Sequence, residues 1–145
     1  MYSHILIATD GSSLSGRAVD HGVGLAKALG AAVSLLTVSE RFHVFALDAE
    51  QVEETASTFR EHMREEAIKT LSQAFEVARS AGIEATQIHL EDDEPYQAII
   101  RTAEGRRCDL IVMASHGRSG VSALLLGSET MKVLTHSKIP VLVVR

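Results

Sequence analysis

The chain has 145 residues and a net charge of −5 with no long block of like charge, which fits one domain and argues against nonspecific nucleic-acid binding, a role that needs a basic face. Its 46% apolar and 23% charged residues are the balance of a soluble globular protein, and with no Trp and 4% aromatics the core falls to Val, Ile, Leu and Ala. A single cysteine, Cys108, excludes an intrachain disulfide framework, and no apolar segment approaches the roughly 20 residues of a membrane span.

The first apolar run, His4 to Thr9, reads as a buried strand. It is too short for a signal peptide and is followed at once by Asp10-Gly11, so a cytoplasmic protein is expected. Leu14 to Leu29 carries helical spacing at Ala18, Val19, Leu25, Ala26 and Leu29, with Gly30 as its cap. Ala32 to Val38 is a second continuous strand. The stretch from Ser39 to Asp48 is irregular, and a lid or a partner surface is expected there.

From about Ala49 to Ala81, residues Val52, Ala56, Phe59, Met63, Ala67, Leu71, Ala74 and Ala78 repeat at steps of three or four, predicting a long helix. Glu84 to Leu90 alternates and is expected near a sheet edge. The four acids Glu91 to Glu94 lack the spacing of a calcium loop, and the simpler expectation is an interaction with the following helix dipole. Pro95 suits the first turn of a third helix, to about Glu104. Cys108 opens the apolar run Leu110 to Ala114 and reads as a small core residue. A fourth helix from near Gly127 to His136 and a last strand, Ile139 to Val144, complete the chain; like the other three continuous apolar runs, that strand reads as buried.

Five strands alternating with four helices predict an α/β, doubly wound (Rossmann-like) parallel sheet with helices on both faces. Sheets of this kind bind ligands at the carboxyl ends of their strands, where the strand order reverses. Three strand ends then matter: Ala8-Thr9-Asp10-Gly11-Ser12, Thr37-Val38-Ser39-Glu40, and Met113-Ala114-Ser115-His116-Gly117. The last continues through Arg118 to Gly127-Ser128-Glu129. Glycines admit a close backbone approach to an anion, and Gly127-Ser128 stands at a helix N-terminus. Two readings of this spacing are open, a phosphate cradle or two turns with a Ser cap. Asp10 is likewise open between a turn or capping residue and a metal contact. The seven histidines form no cluster, so His116 reads as a structural or ligand-contact residue.

The stretch 114–128 resembles the signature of universal stress proteins, whose nucleotide-binding members carry Gly, two residues, Gly, nine residues, then Gly-Ser or Gly-Thr. Ala114 stands at the first glycine position, Gly117 at the second, and Gly127-Ser128 close the pattern. The likeness extends to the opening Ile5-Leu6-Ile7-Ala8-Thr9-Asp10-Gly11-Ser12 and to the terminal Lys138 to Val144. It implies an adenine nucleotide, ATP or else ADP or AMP, with Mg²⁺ or Mn²⁺ held partly by Asp10. It further implies that Ala8 and Thr9 line the adenosine pocket, that the Val38 backbone meets the adenine edge, and that Met113 and His116 wall the site. Gly117, Gly127, Ser128 and the Glu129 amide would cradle the phosphates. Ala114 and Ser115 belong to the same motif, and Arg118 is either a phosphate contact or a solvated side chain. Only a backbone needing positive φ strictly demands Gly at 114.

The resemblance also implies a homodimer paired through Ile139 to Val144, an edge strand that otherwise stands open. Two functions compete: an ATP-binding regulatory protein, and a dimeric interaction module that binds no nucleotide. A hydrolase is the weaker reading. The sequence holds no evident water-activating base and no Gly-Lys-Ser/Thr lysine, so any ATP hydrolysis is expected to be slow.

Overall fold

The computed structural model describes residues 1–43, 49–117 and 125–145, with the side chains of residues 49, 50 and 52 left aside. The elements follow as β1 (His4–Ala8), α1 (Ser13–Leu29), β2 (Ala32–Ser39), α2 (Ala49–Ser80), β3 (Ala85–Glu91), α3 (Pro95–Gly105), β4 (Leu110–Ala114), α4 (Ser128–His136) and β5 (Val141–Val144). The strands form one parallel sheet in the order β3-β2-β1-β4-β5. The expected doubly wound architecture is present, and the order reverses between β1 and β4. Among the described residues no helix is long and apolar enough to cross a membrane.

Strand alternation sorts the core into two layers. Ile5, Ile7, Val33, Leu35, Leu110, Val112 and Ala114 pack with Ala18, Val19, Val23 and Ala26 of α1 and Leu71, Ala74 and Ala78 of α2. On the opposite face, Leu6, Leu36, Ile111 and Met113 pack with Ile99 and Ala103 of α3 and Val133 of α4. Aliphatic burial of this kind contributes about 1.5–3 kcal/mol for each large side chain. The central strands are therefore near-continuous apolar runs, because both of their faces are covered.

Local signals set the helix ends. Ser12 caps α1 by accepting from the Ser15 N–H, and Gly30 ends it at φ 67°, where its N–H donates to the Ala26 carbonyl. Gly22 lets α1 lie close on the sheet, since a Cβ there would sit 2.5 Å from Ile7 Cδ1. Pro95 opens α3 as expected.

Two expectations need correction. The last strand runs over Val141–Val144 rather than from Ile139, and Leu142 is 38% exposed, so it is not a buried strand. Pro140 has no N–H to give the ladder, although its carbonyl accepts from Ile111. The acids before α3 end at Glu94, its cap residue, which makes no capping bond, and the first turn itself holds no acid. Asp92 instead accepts from the Glu94 N–H and pairs with Arg101, while Asp93 accepts from the Arg41 N–H and pairs with His43 at 2.9 Å. These acids anchor the backbone on either side of the sheet end.

At the other end of the sheet, the Asp109 carboxylate accepts from the backbone N–H groups of Ser3 and His4 and from the Ser3 hydroxyl, tying the start of β1 to β4. Cys108 is buried, and burial pushes its thiol up to about 11, so it is an unreactive core residue.

Candidate functional site

The reversal of strand order brings the end of β1 beside the end of β4. Beyond Ala8, the Thr9 N–H still donates to the Leu36 carbonyl at 2.9 Å. The chain then turns: Asp10 Oδ1 accepts from the Ser12 N–H at 2.9 Å, in the manner of an Asx turn. Asp10 is thus a turn former, while Ser12 is the helix cap.

Thr9 donating to Leu36 means that the polar backbone groups of Leu36 face β1. By the two-residue repeat, those of Val38 face the same way, past the point where β1 has turned off. Asp92 donating to the Ser39 carbonyl, on the β3 side, agrees with this alternation.

The β4 end is closed by a clasp. The Gly127 N–H donates to the Ser115 carbonyl at 2.7 Å, and the Thr130 hydroxyl donates to the Ala114 carbonyl at 2.9 Å. A Cβ on Gly127 would sit 3.1 Å from His116 Cα and 3.3 Å from the Ser115 carbonyl oxygen, so glycine is what permits the approach. Gly117 abuts the β1 turn, and a Cβ there would collide with Asp10 Oδ2. Both motif glycines are therefore favoured by close contacts rather than by positive φ.

Ala114 lies in β4 with ordinary strand backbone, outside the positive-φ region, and its side chain is packed in the core beneath α1. The position makes no conformational demand for Gly.

The first turn of α4 follows the clasp directly. Its N-cap is Gly127, which offers no side-chain cap, and Ser128 beside it is exposed. An N-terminus of this kind carries partial positive charge and N–H groups suited to an anion.

Not every expected residue faces one side. Ala8 and Val38 pack with Met113 on the α3/α4 face. Thr9 turns to the opposite face, where its hydroxyl lies 3.0 Å from that of Ser15. Ala114 also belongs to that opposite face, so it brings its carbonyl and not its methyl to the clasp. Ser115 is buried, with its hydroxyl 3.3 Å from His116 Nδ1, and His116 is half-buried. Arg118 and the stretch 118–124 lie outside the described residues, as do residues 44–48 of the expected lid.

Two features escape a reading of the sequence. A cleft of about 290 Å³ lies between α1 and α2, lined by Thr9, Ser12, Gly16, Arg17 and Gln73, on the face away from Ala8, Val38 and Met113. The other is the Glu129 side chain, whose Oε2 accepts from the Tyr96 N–H at 2.8 Å. The sequence offers one hint of it: Pro95 begins α3 with no Ser, Thr, Asp or Asn at the cap position. Among the described residues no group of three or more His, Cys, Asp or Glu side chains is arranged to hold a metal.

Residues 1–145 match the Universal stress protein family. Universal stress protein YxiE of Bacillus subtilis is 34% identical, with the whole of both chains covered. The solved structure of MJ0577, a universal stress protein of Methanocaldococcus jannaschii, superposes with a TM-score of 0.81 at 30% identity, covering 99% of this chain and 96% of that one. A universal stress protein crystallised in complex with cAMP superposes at 0.73, with 27% identity and coverage of 99% and 97%. With its whole length matched and its strand order in hand, the chain belongs to the universal stress protein family.

Proposed function

We propose that the protein is a cytoplasmic, dimeric stress-response regulator that binds an adenine nucleotide, ATP or its ADP or AMP forms, in the crevice between the ends of β1 and β4. The observation that carries this reading is the α4 N-terminus. It is capped by a glycine with no side chain and clasped to the end of β4, so its first amides are held at a crevice where sheets of this order bind ligands. The relative bound to cAMP adds support for an adenine ligand.

In this reading Ala8, Val38 and Met113 form the adenine side, and the Val38 backbone meets the base edge. The Thr9 backbone and His116 border the adenosine. Gly117, Gly127 and Ser128, with the Glu129 amide, cradle the phosphates above the clasp that Ala114 and Ser115 anchor, and Arg118 adds a cation. A Mg²⁺ or Mn²⁺ ion fits as a nucleotide-borne metal, because one carboxylate plus phosphate oxygens is a common magnesium environment and Asp10 supplies that carboxylate beside Gly117. When bound, the ion neutralises phosphate charge. The described residues provide no metal cage of their own.

A second reading, a dimeric interaction module without nucleotide, is favoured by one observation: Met131, Leu134 and Leu142 are exposed along α4 and the β5 edge. Dimerisation is common to both readings, so the nucleotide decides between them. Isothermal calorimetry of the full chain with ATP, ADP and AMP in Mg²⁺, with mass spectrometry of ligand released from undialysed protein, is the test. Saturable binding with one site per chain is expected. No heat and no co-purified nucleotide would leave the interaction module as the surviving function.

A further inference from the structure

Helix α3 starts without a cap of its own. Glu94 stands at the cap position, but its side chain makes no capping bond and accepts instead from the Gln97 amide. Pro95 has no N–H. The next N–H, that of Tyr96, is met from a different helix by Glu129 Oε2 at 2.8 Å. On the other carboxylate oxygen, Lys132 Nζ lies 3.5 Å away, and the same ammonium sits 5.5 Å from the centre of the Tyr96 ring. His136, one turn further along α4, brings its ring to 5.2 Å from that of Tyr96. One face of α4 thus grips the start of α3, and Glu129 is the member of that face closest to Ser128.

We propose that Glu129 is a positioning residue for phosphate recognition: its carboxylate, fixed on the Tyr96 N–H and on Lys132, locks the first turn of α4 in the orientation that presents the amides of Ser128 and Glu129. The inference rests on the nucleotide reading above. A helix N-terminus binds an anion well only when its N–H groups are held in place beforehand, since ordering them on binding costs affinity. Here the turn has no side-chain cap of its own to hold it. The clasp fixes its backbone at Gly127 and Thr130, and the Glu129 carboxylate fixes it from the side of α3. Adenosine lacks the phosphates, so it does not draw on this turn.

The test compares ATP and adenosine affinities by calorimetry in the wild-type chain, Glu129→Ala and Glu129→Gln. Glu129→Ala is expected to weaken ATP about 10-fold while adenosine stays within about twofold, the size of effect that loss of one cap contact has. Glu129→Gln keeps an oxygen for the Tyr96 N–H and is expected to recover most of the loss. A purely structural role would lower both ligands together and would overturn the proposal, as would unchanged or tighter ATP binding in Glu129→Ala. If the wild-type chain binds neither ligand, the nucleotide reading falls and takes this one with it. If it binds ATP and the variants do not differ from it, only the role of Glu129 falls. A second readout is independent of ligand. The Tyr96 amide proton in the nitrogen–proton NMR spectrum is expected to move upfield in Glu129→Ala and to return in Glu129→Gln, and an unmoved resonance counts against the contact.

Discussion

The carboxylate of Asp10 occupies the space that a side chain at Gly117 would take, so the turn after β1 and the turn after β4 are fitted to one another at a single point. Gly117→Ala is expected to push the Asp10 carboxylate aside and to disturb its bond to the Ser12 N–H. A small overpacking at a movable side chain should lower stability by about 1 kcal/mol. On the proposed reading, nucleotide affinity should fall by about 10-fold or more, because the proposed cradle and Asp10 shift together. The clean measurement is a double-mutant cycle with Asp10→Ala: the stability cost of Gly117→Ala should largely vanish in that background. Equal costs in both backgrounds would show that the two residues are not coupled.

Ala114 yields the opposite expectation. Its backbone makes no demand for Gly, and its methyl is buried beneath α1. Ala114→Gly should therefore cost about 1–2 kcal/mol in urea unfolding, from the lost methyl and the greater freedom of the unfolded chain. Nucleotide affinity should stay within about twofold of the wild type. A large gain in affinity would mean that the Ala114 methyl obstructs the ligand.

Acid sensitivity should be traceable to Asp109. Burial acts to raise its carboxyl, but the N–H groups of Ser3 and His4 and the Ser3 hydroxyl together hold it below its usual value. A folded-state pKa depressed in this way adds stability above the unfolded value, near 3.9, and that stability is lost as pH falls through the folded pKa. The urea midpoint of Asp109→Asn should thus fall less between pH 7 and pH 3 than that of the wild type. Parallel midpoints across that window would mean that the bonds from Ser3 and His4 contribute nothing.

Exposure along α4 and β5 makes the proposed dimer testable at one residue. Leu142 is 38% exposed in the single chain, so Leu142→Lys should leave its fold intact. Light scattering should report the mass of two chains for the wild type and of one for the variant. A wild-type mass of one chain would remove the dimer.

The fold was legible where one force dominated. Continuous aliphatic runs marked β1, β2 and β4 because both faces of those strands are covered, and the alternation of Glu84 to Leu90 marked β3 as an edge strand, which it is. The run Ile139 to Val144 looked equally buried, yet Leu142 is exposed, because composition does not distinguish a surface covered within the chain from one left open. Within the site, the sides taken by Thr9 and Ala114 were implicit in the alternation through Ile5, Ile7 and Thr9 and through Leu110, Val112 and Ala114. The Tyr96 to Glu129 bond was not legible, since it joins residues 33 apart through the packing of two helices. The clasp at Gly127 was visible only as a spacing, and its contacts with Ser115 and His116 required the folded backbone.

The grip of α4 on Tyr96 also has an optical consequence. The chain has no Trp and two tyrosines, Tyr2 and Tyr96. Tyr96 lies beside the Lys132 ammonium and the His136 ring, at the junction of α3 and α4. Tyrosine dichroism and fluorescence, read beyond the absorption band of the four Phe, therefore sample that junction and the amino terminus. Removing Tyr2 would make the remaining signal a local gauge of how α3 and α4 meet, read without any attached dye.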